Sequence, residues 1–362
     1  MNHELNVAVV GATGIIGQQF LTALDGHPWF RTTRLAASAR SANKKYIDAI
    51  SDPETGSVGW YCDDPMPEEI RDLVVENAAE LDVAKVDLVF TALESDAARE
   101  LEPRYAKDKP VLSTASAFRY EEDVPILLPG VNTASHGALL EVQKKNRGWK
   151  GFITPNANCT TVGLAMTLAP LHQAFGVKRV HMTSLQAISG AGRGPGVLGL
   201  DIIDNIVPYI PKEEEKVERE TQKILGEVKQ NKVQPAEILV SCTCMRVNVT
   251  DAHTESVFVA LDNEVEPDEI KKVMSEFGRE FTELGLPSSP PSLIVVADDP
   301  YHPQPRMDRG IYDGMATVVG RIRPDRCFDN GAKYVLLSHN TKMGGAKGCI
   351  LAAEYLVETG CI

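Results

Sequence analysis

Cys159 carries the clearest chemical signal in the chain. It stands in Pro155-Asn156-Ala157-Asn158-Cys159-Thr160-Thr161, directly ahead of an apolar run over residues 162–175. That pattern predicts a helix over 160–175 with Cys159 at or just before its N-terminus. Unsatisfied N–H groups and the helix dipole at such a position favour the thiolate. The same N–H groups are expected to hold a developing oxyanion. A lone cysteine is more often a small buried side chain, so a nucleophile needs a second group beside it. Of eight histidines, His253 is the candidate general base, in the turn Arg246-Val247-Asn248-Val249-Thr250-Asp251-Ala252-His253. Cys242 and Cys244 lack metal-ligand spacing and read as packing residues on a strand, and no metal is expected.

A glycine turn supplies the second half of the chemistry. Val7-Ala8-Val9-Val10 leads into Gly11-Ala12-Thr13-Gly14-Ile15-Ile16-Gly17 and then a helical pattern. Strand, glycines and helix in that order let backbone N–H groups approach a pyrophosphate. The spacing is GxxGxxG and not GxGxxG, so the motif alone is weaker than the dinucleotide fingerprint. An NAD site places an acidic residue about 20 residues on, at the end of the second strand. Here that strand ends in Ser38, Ala39, Arg40 and Ser41, with Lys44 and Lys45 following. Hydroxyls and a guanidinium suit a 2′-phosphate, so NADP(H) is the expected cofactor. A thiolate beside a nicotinamide points to aldehyde oxidation, or its reverse, through a cysteine thioester.

These residues need a scaffold, and the hydrophobic pattern describes one. Short apolar runs at 6–10, 33–37, 86–93 and 110–113 alternate with helical segments, the order of a parallel sheet covered on both faces. After about residue 155, strands are expected at 180–188, 238–249, 254–261, 292–297, 316–323 and 334–339. Helices at 160–175, 213–225 and 267–284 separate only some of them, which suggests a mixed sheet. The reading is an α/β chain with an N-terminal Rossmann-type NADP-binding domain over 1–155, completed by a helix within 344–362. A catalytic and dimerisation domain of α+β type is expected over 156–343.

Composition narrows the partners. In 362 residues, 37 basic and 50 acidic side chains leave a net charge of −13, with no basic block to meet a nucleic-acid backbone. No apolar run of about 18 residues offers a membrane span. The first residues lack a basic leader, and seven cysteines, an odd number, do not make a disulfide framework. A cytoplasmic protein is expected.

With these residues in place, the chain resembles the aspartate-semialdehyde dehydrogenase family, and its fungal and archaeal branch most. The resemblance rests on blocks at 11–17, 113–119, 156–161, 186–192, 213–216, 246–253 and 339–340. It implies Cys159 as the nucleophile that forms an acyl-thioester and His253 as general base. It implies Gln186, Glu213 and Arg246 as substrate-binding residues, with Arg246 on the carboxylate and Glu213 on the amino group. Arg119 and Lys216 would bind phosphate. Gly11, Thr13, Gly14, Ile15, Ile16, Ser38, Arg40, Ser41, Leu93, Ser189, Gly190 and Asn340 would line the cofactor, with 191–192 beside them. A homodimer or homotetramer is implied, and the segment 197–211 is a candidate part of its interface. The chain departs from the family at Thr114, where Asn is usual, and at Asn248, where Pro is usual.

The implied reaction is NADPH-dependent reductive dephosphorylation of L-4-aspartyl phosphate to L-aspartate 4-semialdehyde. Arg119, Lys216 and Arg246 are the cations that would focus anionic substrates in an acidic protein. N-acetyl-glutamyl-phosphate reductase and malonyl-CoA reductase share the Cys–His logic. A short-chain dehydrogenase would use a Tyr-x-x-x-Lys pair, and Tyr105–Lys109 matches only by spacing, since Pro110 follows at once. A non-catalytic NADP sensor would need only the glycine loop.

Overall fold

In the computed structural model, which describes residues 4–191 and 199–362, the first apolar run becomes strand β1 (Leu5–Val10). Val7 and Val9 enter one hydrophobic cluster while Ala8 and Val10 enter another. Successive strand residues point to opposite faces, so a continuous apolar run is what a doubly covered strand requires. Around it lie β2 (Phe30–Ala37), β3 (Val75–Asn77), β4 (Leu88–Thr91), β5 (Val111–Ser113) and β6 (Ile153–Pro155). All pairings are parallel and the order is β3-β2-β1-β4-β5-β6, the Rossmann order. Three helices of this unit are α1 (Ile15–Leu24), α2 (Ser95–Ala106) and α3 (Leu139–Arg147).

The second sheet is mixed. Helix α4 (Cys159–Phe175) precedes β7 (Val177–Gln186), and α5 (Glu213–Ile224) precedes the ribbon β8 (Glu227–Lys229) and β9 (Lys232–Gln234). Strands β10 (Leu239–Arg246) and β11 (His253–Leu261), helix α6 (Pro267–Glu276), and β12 (Ile294–Val296), β13 (Thr317–Asp325) and β14 (Gly331–Ser338) follow. The order is β10-β7-β11-β14-β13-β12, with β10 parallel to β7 and β11 antiparallel to both its neighbours. Buried and more exposed residues alternate along β7, so one face is covered and the other carries Leu185 and, from β10, Leu239 at 66% exposure. Helix α4 is apolar on every side and buried for most of its length, as its sequence demands. The helical pattern over 267–284 is interrupted, because Gly278 adopts φ +72° and starts a separate short helix at Arg279.

The contacts of the chain divide it into two units. One comprises Met1–Pro125, Ala138–Asn156 and Gly345–Ile362, and the other Ile126–Gly137 and Ala157–Gly344. The closing helix α7 (Ala346–Glu358) buries Cys349, Ile350, Ala353 and Val357 in the same cluster as Phe20 and Leu24 of α1. Residues 126–137, inside the range read as the first domain, belong to the second unit. There Asn132 Nδ2 donates to Ile224 O at 3.3 Å and His136 Nε2 meets Gly226 O at 3.0 Å.

Candidate active site

Four strands of the mixed sheet deliver their ends to one place. Gln186 and Arg246 close the parallel strands β7 and β10 and lie level in register. His253 opens β11 and pairs with Ser338, which closes β14 and leads into His339 and Asn340. Cys159 is the first residue of α4, as its position ahead of the apolar run predicts. Its Sγ lies 3.2 Å from His253 Nε2. The two residues 94 positions apart thus meet, which sequence spacing could not reveal.

The histidine is fully buried and its orientation is fixed from behind. Ala187 N–H donates to Nδ1 at 3.1 Å, so neutral His253 carries its proton on Nε2 and aims it at the sulfur. Burial lowers its pKa to about 3, and Arg246 and His339 add to that effect. His253 therefore stands as a neutral donor toward Sγ. Asn340 locks the neighbouring turn: its Oδ1 accepts from Ala252 N–H at 2.9 Å and its Nδ2 donates to Ser189 Oγ at 2.8 Å. Gly190 lies against both partners, for a Cβ there would come within 3.2 Å of Arg246 Nη1 and 3.3 Å of His253 Cε1.

Arg246 is 6% exposed, and burial depresses its pKa while the nearby Cys159 and Glu213 act in the opposite sense. Nη1 donates to Ala187 O at 2.7 Å. Gln186 is buried and its Nε2 donates to Ser184 Oγ at 3.1 Å. Glu213 and Lys216 form an i,i+3 pair at 3.5 Å, and the carboxylate is buried, which sets it apart from an ordinary solvated helix pair. Glu213 Oε1 also accepts from Asn158 Nδ2 at 2.9 Å.

One expectation is corrected. The first-turn amides of Thr160 and Thr161 do not point into open space for an oxyanion. Asn158 Oδ1 accepts from them at 3.0 and 3.2 Å and caps the helix. Asn one residue ahead of a helical pattern is a cap signal in the sequence itself, and Asn158 carries it.

The other predicted residues lie in the first unit. Gly11 adopts φ +83°, and a Cβ there would sit 2.2 Å from Ala92 O, so the turn admits only glycine. Gly14 stands just ahead of α1 as its N-cap, offers no side-chain cap to the first-turn amides and is itself exposed. Gly14 thus leaves a bare helix N-terminus at the carboxyl end of β1, and this cradle fits a dinucleotide pyrophosphate. Thr13, Ile15 and Ile16 are half-buried around it, and Leu93 is half-buried after β4. Ser38 and Arg40 are exposed on a turn closed by Ser41 N–H to Ser38 O at 2.9 Å, a placement suited to an added phosphate. Arg119 is buried, and its Nη2 donates to Thr114 O at 2.9 Å, so Thr114 serves through its backbone. Tyr105 Oη donates to Ala78 O inside the fold, and α2 stops at Ala106 before Lys109, which removes the short-chain dehydrogenase match. Residues 192 and 197–198 lie outside the described residues.

The sequence compares with known proteins along its whole length. Residues 6–138 match the family model described as semialdehyde dehydrogenase, NAD binding domain. Residues 168–343 match semialdehyde dehydrogenase, dimerisation domain. The aspartate-semialdehyde dehydrogenase of Methanothermobacter thermautotrophicus is 46% identical over 354 residues, covering 98% of this chain and 99% of that protein. The chain belongs to the aspartate-semialdehyde dehydrogenase family. The family's Saccharomyces cerevisiae enzyme is 40% identical, with 98% of each chain covered. The crystal structure of the Candida albicans family member with NADP superposes with a TM-score of 0.88 at 38% identity, covering 99% of this chain and all of that one. Archaeal and fungal relatives both appear, in line with the branch that the sequence resembles. No helix among the described residues is long and apolar enough to cross a membrane.

Proposed function

We infer that the chain is an NADP-dependent aspartate-semialdehyde dehydrogenase that reduces L-4-aspartyl phosphate to L-aspartate 4-semialdehyde, reversibly, in the biosynthesis of lysine, threonine and methionine. The observation that carries the reading is the contact of 3.2 Å between Cys159 Sγ and His253 Nε2 at the start of α4, in a chain of this family. The Cys159 thiolate attacks the acyl carbon, an S–C bond forms, the C–O bond to phosphate breaks and phosphate leaves. His253 serves as general base, its Nε2 exchanging a proton in turn with the sulfur and with the oxygen on which charge develops. Arg246 binds the substrate carboxylate and Glu213 its ammonium group, while Gln186 orients the acyl group. Arg119 and Lys216 bind the phosphate. A bound NADPH would supply hydride to the thioester carbon; the C–S bond then breaks, which frees the aldehyde and restores the Cys159 thiolate. The cofactor would be held by Gly11, Thr13, Gly14, Ile15, Ile16 and Leu93, with Ser38, Arg40 and Ser41 toward the 2′-phosphate, and Ser189, Gly190 and Asn340 would complete its site.

The two units correspond in this reading to a cofactor domain and a catalytic domain. The open face of the mixed sheet and the exposed Ile203, Ile206 and Tyr209 support self-association as a homodimer or homotetramer, which sedimentation would distinguish. A reducing cytoplasm suits a working thiolate.

The test is NADPH formation, followed by absorbance, from NADP, phosphate and aspartate semialdehyde. Phosphate-dependent turnover that disappears in Cys159→Ser supports the reading. Turnover only with N-acetylglutamate semialdehyde, or with malonyl-CoA in reverse, would keep the chemistry and discard the substrate. Tight NADP binding with no turnover on any of them would leave a sensor.

A further inference from the structure

Helix α5 carries a second buried carboxylate that the mechanism above does not use. Glu220 is 0% exposed, and its Oε2 accepts the backbone N–H of Asn158 at 2.6 Å. Seven residues earlier on the same helix face, Glu213 Oε1 takes Asn158 Nδ2 at 2.9 Å and lies 3.4 Å from Thr160 Oγ1. Asn158 in turn caps α4 through Oδ1, and the next residue is Cys159. One asparagine is thus held by its main chain and its side-chain amide to two carboxylates, while its side-chain oxygen starts the helix of the nucleophile.

Two carboxylates buried at one residue are costly unless each gains strong hydrogen bonds there, so the arrangement commits the fold to placing Asn158. A carboxylate accepting a backbone N–H is about twice as strong as a neutral pair, and it sits at the positive end of α4. The two anchors differ in kind. Glu213 shares its other oxygen with Lys216 and, in the proposed function, receives the substrate ammonium, so its hold on Asn158 changes with occupancy. Glu220 is more deeply buried and its bond runs to main chain, so it does not depend on what the pocket contains.

We propose that Glu220 is a positioning residue for the nucleophile, fixing the Asn158 main chain so that Cys159 Sγ stays within reach of His253 Nε2 whatever occupies Glu213 and Lys216. This inference rests on the reading of Cys159 as nucleophile. Glu220→Gln keeps an acceptor oxygen at the same reach without the charge. Glu220→Asp keeps the charge but withdraws the acceptor by one methylene.

Both variants are compared with wild type and with Cys159→Ser for kcat, for KM toward phosphate and aspartate semialdehyde, and for alkylation of the Cys159 peptide by iodoacetamide. Glu220→Gln is expected to keep kcat within about threefold. Glu220→Asp is expected to lower kcat by roughly 10–100-fold, the cost of misplacing a reacting group by about 1 Å, with both KM values nearly unchanged and alkylation slowed. Full kcat in both variants, with Cys159→Ser inactive, overturns this inference alone. Glu220→Gln as impaired as Glu220→Asp also overturns it, since charge and not acceptor placement would then matter. Turnover in Cys159→Ser removes the nucleophile reading and this one with it. Should Glu220→Asp fail to fold, amide exchange decides between wild type and Glu220→Gln: the Asn158 N–H is expected to stay protected in both, and loss of that protection in Glu220→Gln overturns the inference.

Discussion

Arg246 and His253 are held by the backbone of one residue between them. Arg246 Nη1 donates to Ala187 O at 2.7 Å, and Ala187 N–H donates to His253 Nδ1 at 3.1 Å. The guanidinium that would take the substrate carboxylate therefore secures the same residue that sets the histidine's tautomer. Substituting Arg246 is expected to cost more than substrate affinity, because the ring loses part of its support.

The tautomer has a titration consequence. Burial, with Arg246 and His339 nearby, lowers the His253 pKa from 6.5 to about 3. The group is neutral in the folded protein and takes up a proton on unfolding at any pH between those values, so its contribution to stability falls as pH drops from about 6.5 toward 3. In a proton NMR titration between pH 5.5 and 8, the Cε1–H signal lost in His253→Asn is expected to stay fixed. A midpoint near 6.5 for that signal would contradict the neutral-donor assignment.

Glu102 gives the opposite slope. It is fully buried on α2, and one oxygen accepts from both Thr91 Oγ1 and Ser113 Oγ at 2.6 Å. Burial raises its pKa from 4.5 to about 7, against the two hydroxyls and Arg119, which act in the other direction. Tyr105 and Cys349 also lie close enough to sense its charge. The folded state keeps a proton that the unfolded chain has lost, so stability declines as pH rises from about 4.5 to 7 and levels off above. Glu102→Gln preserves an acceptor for both hydroxyls and removes the titration. Relative to wild type it is expected to gain stability progressively across that window, by roughly 2–3 kcal/mol at its end. Urea midpoints at pH 5 and pH 8 measure this, and an unchanged difference between the two pH values would refute it.

Gly11 tests the cofactor cradle. A Cβ at φ +83° would be strained, and it would also press on Ala92 O. Gly11→Ala is expected to weaken NADP binding at least tenfold, roughly 1.4 kcal/mol, and to lower the melting temperature. Fluorescence titration with NADPH checks the first effect, and unaltered affinity would remove this turn from the cofactor site.

How much of this was readable in advance depends on the kind of signal. The parallel sheet was legible because its strands are short, apolar and unalternating, and Cys159 because a helix pattern begins just after it. Arg246 and His253 were legible as residues flanking and within a turn between two strands, but their shared hold on Ala187 was not, since it depends on how β7, β10 and β11 align. Glu220 was invisible because it stands in a helix dense with charge, Glu213-Glu214-Glu215-Lys216 onward, which reads as a solvated face. Glu102 was hidden likewise, with Pro103 beside it arguing against the helix that forms. Charged residues are normally exposed, so burial of a carboxylate becomes evident only when its partners are brought together.

Glu255 is a buried acid with no such partner among the described residues. It lies two residues after His253 on the same strand face, is fully buried, and neither carboxyl oxygen makes a hydrogen bond. It sits beneath α4, where a Cβ added to Gly163 would come 3.4 Å from its Oε1. Burial holds its pKa well above the ordinary carboxyl value, with Cys244 adding to the effect, so the fold favours its protonated form. A buried polar group without partners costs about 1–3 kcal/mol, and an apolar side chain of similar length avoids that cost. Glu255→Met is therefore expected to raise the unfolding free energy by about that amount. The gain should grow as pH rises above about 4.5, where the unfolded wild-type chain ionises more readily than the folded one. A urea midpoint that falls in Glu255→Met would mean that this carboxyl stabilises the fold through a contact that its surroundings in the chain do not supply.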